Sequence, residues 1–514
     1  MALPQSSYAV AQSAGTVTVT VNRTGGSSGA VSVSYATTNG TAVSGTNYTA
    51  ASGKLSWNSG DSTAKSFSVT LTTQPAFSGT KSFTVTLSSA AGGAALGSPA
   101  SAVVTISGSS VTQSTLAVKV LGNHLVDANS NYLQLRGANM SGLEFVGVQG
   151  LTVANWGGTL PDWVLFGLTW KANAVRIPLN AASWLGLSTY TANAQNATSW
   201  GSAVNPDPQG TYKQTVIAAV AAAQAAGMYV ILDLHWSAPE VTLGGVTHYI
   251  TPNGQPEFMN STTDIAFWQS IAQTFGTQAA SQSGISNAGV IFELFNEPYM
   301  DDYANGSTLY SLMLNGGTVS TFHWAIGAYS VSPSGGVGIA GYQQALNAIR
   351  TLGAQNVLIV NGPSWTQEAQ YYQSWFPKDT LATPQLAAGW HPYPHGGYPY
   401  SNGDVYGKTG NDAGAGTSSF AQWFEAILNN GIPVIITEDG GEGGTAATSG
   451  EPHMTYMMNW SDQHEASYIA WEWTEPQAAS TSVTNNYMTT QGTSGVVPIE
   501  GEGQAVFNWL STHN

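Results

Sequence analysis

"YKQTVIAAVAAAQAAGMYVILDLHW", residues 212–236, decides the fold class of most of this chain. Its first part, 212–227, reads as a helix that closes on Gly227, the usual helix stop. The next part, "YVILDLHW" at 229–236, is an apolar run whose end carries Asp233, His235 and Trp236. A helix feeding directly into a buried strand is one half of a β/α repeat. Seven further apolar strand candidates follow the same plan: "LQLRGAN" (133–139), "NAVRIPLN" (173–180), "VIFELFNE" (290–297), "VLIVNGP" (357–363), "LAAGWHPY" (386–393), "PVIITED" (433–439) and "YIAWEW" (468–473). Helical stretches such as "DIAFWQSIAQTFGTQ" (264–278), "YQQALNAIRTLG" (342–353) and "FAQWFEAILNNG" (420–431) lie between them. Buried strands alternating with helices give a parallel sheet. Eight such units predict an α/β fold of the (β/α)8 TIM-barrel kind over 116–514. The long segment after strand four, 299–339, is expected to wall one side of a cleft.

Residues 1–108 have a different period. "GTVTVTVNRT", "AVSVSYATT", "KSFSVTLTT", "KSFTVTLSS" and "SAVVTISG" alternate with period two between Gly, Ser and Asn turns, as in a small all-β immunoglobulin-like sandwich. Residues 109–115 form a polar linker.

The 514 residues hold 12 Lys and Arg, 28 Asp and Glu, a net charge of −16 and no cysteine. Charged residues are 8% of the chain, against roughly 25% in an average protein. A chain this acidic is a poor partner for nucleic acid or an anionic membrane, whereas a neutral polymer is not repelled. Without cysteine there are neither disulfides nor thiolate metal sites. No apolar run approaches the ~20 residues of a membrane span. The opening "MALPQSSYAV" lacks the basic and apolar parts of a signal peptide. The uncharged polar surface suits a secreted bacterial protein, whose leader would then be missing from this sequence.

Barrel enzymes do their chemistry at the C-terminal ends of the strands. Here the strand ends carry Arg136, Asn139, Arg176, Asp233, His235, Asn296, Glu297, His391, Tyr393, Glu438, Asp439, Trp471 and Trp473, with Glu144 in the first loop. Glu297 and Glu438 stand on strands four and seven, across the mouth from one another. Carboxylates facing each other across a sugar ring are what cleavage of a glycosidic bond requires, one protonated and one ionised.

"FELFNEPY", "VILDLHW", "WHPY", "PVIITEDGG" and "YIAWEW" resemble the strand-end motifs of glycoside hydrolase family 5, the cellulase-type retaining glycosidases. "LVDANSNYLQLRGANMSGLE" resembles that family's hairpin entry into the first barrel strand. The resemblance implies that Glu297 is the acid/base and Glu438 the nucleophile. It implies that Asn296 binds the sugar 2-hydroxyl, that Arg176 and Tyr393 hold Glu438, that His391 lies beside Glu297, and that His235 and Trp471 contact the sugar. It requires no metal or organic cofactor. Asp439, where the family often has an aromatic, is expected to face away from Glu438 because adjacent strand residues point oppositely. The rival readings are structural ion pairing of Arg176 with Glu293 or Glu144, and a zinc site of His235, His391 and His395. Trp473 is expected in packing, while Trp236, Trp324 and Trp365 divide between sugar stacking and packing.

The run 14–57 of the first domain resembles a Calx-beta domain. That family often binds calcium through acidic loops, but Gln12, Asn47 and "TTQPAFSGT" (72–80) are neutral here, so little or no calcium binding is expected. The expected activity is a retaining endo-β-1,4-glucanase, monomeric, acting on a cellulose-like β-glucan. The alternatives are a β-mannanase, xyloglucanase or β-1,3-glucanase on the same scaffold, and, in another class, a non-catalytic polysaccharide-binding protein.

Overall fold

The structure, a computed structural model, describes residues 1–72, 80–107, 116–146, 166–167, 170–190, 203–243, 245–250, 255–280, 282, 284–299, 306–324, 329–393, 420–440, 451–473, 489–492, 495–498 and 502–513. The chain forms two compact units, Met1–Ser114 and Thr115–Asn514.

The first unit is a β-sandwich. One sheet is ordered Ser7–Ala11, Ser101–Ser107, Thr80–Ala91, Val31–Asn39, Ser52–Trp57, and the other pairs Thr16–Val21 with Lys65–Thr70. Alternate residues Val17, Val19 and Val21 turn inward, and Val33, Val69, Phe83, Val85, Val104 and Ile106 fill the space between the sheets. Trp57, the unit's lone tryptophan, is 1% exposed and donates its indole N–H to the Thr63 carbonyl, so its ring is unavailable to a ligand. The resemblance would place calcium-binding acids at Gln12 and Asn47. There the Gln12 amide donates to the Thr72 carbonyl, and the Asn47 side chain accepts from the Val43 N–H. Neither offers a carboxylate, so these positions do not fit a hard cation.

The second unit is a closed parallel barrel. Its strands are β1 (Arg136–Asn139), β2 (Ala174–Asn180), β3 (Tyr229–Trp236), β4 (Val290–Glu293), β5 (Leu358–Asn361), β6 (Leu386–Trp390), β7 (Val434–Ile436) and β8 (Ser467–Ala470), and β8 pairs with β1 to close the ring. Helices α1 (Tyr212–Ala225), α2 (Thr263–Phe275), α3 (Gly306–Asn315), α4 (Tyr342–Thr351), α5 (Phe420–Asn429), α6 (Glu451–Gln463) and α7 (Glu502–Thr512) lie between or after the strands. The Asp207 carboxylate caps the start of α1 through the backbone N–H groups of Thr211 and Tyr212. Gly227, Gly353 and Gly431 follow α1, α4 and α5 with φ of +87°, +87° and +80°, the left-handed stop that glycine adopts without strain.

Strand periodicity builds the barrel interior in layers. Leu135, Ala174, Ile231, Ile291, Ile359, Ala387, Ile435 and Ile469 form one inward layer. Leu116, Val118, Val120 and Leu125, on and beside the hairpin of Lys119–Leu121 and His124–Val126, pack beneath it. Ala138 on β1 and the residues that follow the other seven, Val175, Leu232, Phe292, Val360, Ala388, Ile436 and Ala470, pack outward among the helices. Two residues further along β2 to β7 the alternation turns inward again at Arg176, Asp233, Glu293, Asn361, Gly389 and Thr437, and on β1 it does so at Asn139, four residues beyond Leu135. An apolar floor thus carries a polar layer on the C-terminal side.

Two expectations need correction. Arg136 begins β1 rather than ending it, so it lies at the opposite end of the barrel from the strand-end carboxylates, where it meets Asp462 at 3.3 Å and stacks over Trp509. Strands four and seven are also shorter than the apolar runs: β4 stops at Glu293 and β7 at Ile436, so Glu297 and Glu438 sit just beyond the ladder.

Gly389 faces Asn361, and a methyl group at 389 would overlap the Asn361 side-chain oxygen. Gly389→Ala is expected to lower stability by about 1–3 kcal/mol through overpacking. Urea unfolding followed by tryptophan fluorescence checks this, and an unchanged midpoint is the contrary result.

Candidate active site

Arg176 is fully buried at the centre of the polar layer. Its Nε donates to Glu293 Oε2 at 2.5 Å. One terminal nitrogen donates to Asn139 Oδ1 at 2.8 Å and Glu438 Oε1 at 2.5 Å. The other donates to Asn296 Oδ1 at 2.7 Å and lies 3.0 Å from Asp233 Oδ2. The structural partner of Arg176 is therefore Glu293, with Asp233, and the arginine reaches Glu438 at the same time. Glu144, fully buried, instead accepts from the Gly142 N–H at 2.6 Å.

Glu438 also accepts from the Tyr393 hydroxyl at 3.1 Å through its second oxygen. Glu297 Oε1 lies 2.8 Å from His391 Nδ1. Ligand atoms of Glu297, His391 and Glu438 all lie within 4.8 Å of one another. Among the described residues this trio has the spacing to hold a cation, but Glu297 and His391 are already hydrogen-bonded to each other through atoms a metal would need.

The proton positions follow from the partners. Glu293 Oε1 accepts from the Thr437 hydroxyl at 2.8 Å, which uses the threonine's one proton. Thr437 Oγ1 must therefore accept from His391 Nε2, 3.0 Å away. A neutral imidazole with its proton on Nε2 has a lone pair on Nδ1. That lone pair receives the carboxyl proton of Glu297. Burial pushes the His391 pKa down to about 4, which keeps the ring neutral. Burial pushes the Glu297 carboxyl up to about 8, against the opposing pull of Arg176. Burial also raises Glu438, with His391 and Arg176 opposing. Of the two carboxylates, Glu438 is the one in direct contact with the guanidinium, so ionisation is favoured there.

On the other flank, His235 Nδ1 lies 2.7 Å from Asp233 Oδ2, and its Nε2 lies 3.3 Å from Asn296 Nδ2. The rings of His235 and Trp471 are nearly parallel, with centroids 5.8 Å apart. The Trp471 backbone N–H donates to the Asp439 carbonyl at 2.7 Å. The Asp439 carboxylate turns away from Glu438 and bonds His453 Nε2 at 2.7 Å and the Tyr468 hydroxyl at 2.8 Å.

The eight residues singled out from the sequence, Arg176, His235, Asn296, Glu297, His391, Tyr393, Glu438 and Trp471, thus lie in one connected set. Trp473 packs against Phe166 and Trp170, and Trp324 is 2% exposed. Trp236 is buried beside Phe145, and Trp365 stacks on Tyr299 with centroids 4.7 Å apart. His395 lies outside the described residues. Three neutral residues escaped the sequence reading. Thr437 sets the His391 tautomer; Asn361 donates to Glu293 Oε1 and to the carbonyls of Phe295 and Asn296; Gln255 donates to the Glu297 carbonyl. The alternation along β5 and β7 marks Asn361 and Thr437 as inward-facing, which was the available signal.

The family model "Cellulase (glycosyl hydrolase family 5)" matches residues 126–477, and the Calx-beta domain model matches residues 1–110. A β-glucanase of Saccharophagus degradans, solved with cellotetraose, is similar at 17% identity, with 77% of this chain and 95% of that one covered and a TM-score of 0.49. An endoglucanase catalytic domain of Thermobifida fusca is similar at 15% identity, covering 77% and 97%, with a TM-score of 0.43. A Calx CBD1 domain in its apo form shares 30% identity over 20% of this chain and 92% of its own length, with a TM-score of 0.20. A comparison with curated proteins gives no match.

Thr437→Val removes the acceptor for His391 Nε2–H. The imidazole is then expected to shift toward the Nδ1–H tautomer, which favours ionised Glu297. Nitrogen-15 histidine NMR reads the tautomer directly, and an unchanged Nε2–H signal is the contrary outcome.

Proposed function

The chain belongs to glycosyl hydrolase family 5, and on that premise we propose that it is a retaining endo-β-1,4-glucanase acting on a cellulose-like β-glucan. The observation that carries this reading is the approach of Glu297 and Glu438, with oxygens within 4.8 Å and His391 touching the acid. Retaining glycosidases hold their carboxyl groups about 5–5.5 Å apart, whereas inverting ones need roughly 6.5–9.5 Å to admit a water.

In the first step ionised Glu438 attacks the anomeric carbon while protonated Glu297 gives its proton to the leaving oxygen. In the second, Glu297 takes a proton from water, which attacks the same carbon and releases Glu438. Arg176 and Tyr393 orient the nucleophile. Asn296, pinned through its oxygen by Arg176, presents its amide N–H to the sugar 2-hydroxyl. Trp471, braced beside His235, offers an aromatic face to the apolar C–H face of the sugar. Residues 1–108 serve as a spacer or stabilising module, and 109–115 as the linker. The enzyme acts as a secreted monomer, since an insoluble polymer must be met outside the cell. No helix among the described residues is long and apolar enough to cross a membrane. A reducing-sugar screen over β-glucans, xyloglucan and mannans separates the glucanase from its nearest alternatives, because loops set substrate choice on this scaffold.

Glu438→Ala and Glu297→Ala are each expected to cut turnover of carboxymethylcellulose by roughly four orders of magnitude in a folded protein. A folded variant with near wild-type turnover ends the assignment, and proton NMR of the first product should show the retained β-anomer.

The pH dependence has a definite sign. The acid must be protonated, and its pKa of about 8 keeps it so through neutrality. The nucleophile must be ionised, and its raised pKa delays this above the usual carboxylate range. kcat/KM should therefore climb above the ordinary glutamate pKa and fall as the pH passes about 8. A base-side limb near pH 5 in the measured profile would contradict the Glu297 environment.

A further inference from the structure

The segments that follow β4 and β5 border an open concavity. α3, in the loop after β4, and the short helix Tyr372–Trp375, after β5, border a pocket of about 540 Å³ lined by Ser307, Tyr310, Ser311, Asn315, Tyr371 and Ser374. Loops that leave the C-terminal ends of strands belong to the catalytic face of a barrel. The segment after β4 also carries Glu297, so the pocket stands on the acid's side of the rim.

Its lining chemistry is selective. Among the described residues its six lining side chains are uncharged: two phenol rings, three serine hydroxyls and one amide. A phosphate or carboxylate ligand would want a guanidinium or ammonium, and a metal would want carboxylates. A purely apolar ligand would strip water from hydroxyls it could not bond. A neutral sugar suits all six of these side chains, with C–H faces for the rings and hydroxyls for the serines and the amide.

The rings are held in place. Tyr310 and Tyr371 meet at a tilt of 46° with centroids 5.7 Å apart, and Tyr371 is 48% exposed, leaving ring surface open. The Tyr310 hydroxyl donates to Glu368 Oε1 at 3.3 Å, and the other oxygen of Glu368 accepts from Ser364 at 3.2 Å. The next residue, Trp365, donates its backbone N–H to the Pro298 carbonyl at 3.0 Å, one residue from Glu297. Ser364, Trp365 and Thr366 all have left-handed backbones, with φ of 55°, 59° and 62°. A turn of three non-glycine residues in that region persists only when its surroundings fix it. The pocket wall and the acid's loop are therefore mechanically one piece.

We infer that this pocket is an auxiliary glycan-holding site, which grips a neutral β-glucan chain on the acid's side of the rim, outside the cleft. The inference rests on the proposed glucanase reading for the identity of the polymer. Its residues take no part in the chemistry, so they matter for long chains and not for short ones.

Affinity electrophoresis in gels containing hydroxyethylcellulose or mixed-linkage β-glucan tests it, with Glu438→Gln as background so that the polymer survives. Tyr371→Ala, and separately Ser374→Glu, which puts a charge among the hydroxyls, should weaken polymer retardation roughly 3–10-fold. In the otherwise wild-type enzyme the same two changes should leave kcat/KM on an aryl β-cellobioside unchanged. Unchanged retardation by both variants overturns the pocket and leaves the glucanase reading standing. Equal losses on polymer and aryl cellobioside also overturn it, since the effect then passes through the cleft. A wild-type enzyme that hydrolyses none of the glucans overturns the glucanase reading itself, and the glycan assignment with it.

Discussion

One buried guanidinium organises the catalytic face. Arg176 has no exposed surface and directs its donors to three carboxylates and two amides on four strands or their ends, β1, β3, β4 and β7. A charge removed from water is tolerable only when it is paired and hydrogen-bonded on every side. Arg176 meets that condition, but its partners do not. One positive charge faces Asp233, Glu293 and Glu438, with Glu297 close by. The surplus negative charge cannot be relieved by imidazolium, because burial holds both His235 and His391 near a pKa of 4. It is relieved by protons kept on carboxyl groups. Asp233 is pushed to about 7 and Glu297 to about 8, burial being the main cause in both. A protonated acid at neutral pH is thus chiefly a consequence of burial, to which the surplus negative charge around Arg176 adds.

The barrel supplies that count through period two. The same alternation that stacks Ile231, Ile291, Ile359 and Ile435 into an apolar floor brings Asp233, Glu293, Asn361 and Thr437 inward one layer higher. The hairpin packed beneath the floor covers its lower side. With apolar residues below and helices outside, the polar layer opens toward the strand ends alone. Position 389 must be glycine there because the Asn361 side chain occupies the room of a Cβ.

Much of this was legible because the chain is so poor in charge. With 40 charged residues, the 12 basic and 28 acidic ones together, in 514, a carboxylate or guanidinium on an apolar strand stands out. Period two then assigns it to the interior. Strand ends were less legible. Leu294 and Phe295 continue the apolar run past β4, and Leu294 N–H still bonds the Ile359 carbonyl, while the Trp268 indole bonds the Leu294 carbonyl. Hydrophobicity does not distinguish such a buried extended segment from a ladder. Arg136 was misassigned for a related reason: the four-residue strand begins three residues into a seven-residue apolar stretch, so a residue in the middle of the stretch stands at the strand's start, at the other end of the barrel. Thr437 and Asn361 were missed because a neutral side chain carries no charge signal, and its importance lies in where its single proton or amide points.

The proposed chemistry fits this enclosure because it moves charge without creating any. Before the first step the nucleophile is ionised and the acid neutral. After it, Glu438 is an ester and Glu297 carries the charge, a short distance away across His391. The cluster around Arg176 holds the same net charge in both states. A buried, low-dielectric site penalises a change in net charge far more than a displacement of it, so its fixed dipoles need little rearrangement. The two carboxylates also act on each other. Ionised Glu297 raises the pKa of Glu438, and by Coulombic reciprocity ionised Glu438 raises that of Glu297. Esterification removes the negative charge on Glu438 and with it that part of the shift on Glu297. The acid of the first step thereby becomes a weaker holder of its proton at the moment it must stay ionised to activate water. Closeness to Glu438 thus adds to what burial does for the acid, and its loss in the ester helps the same carboxyl serve next as the base.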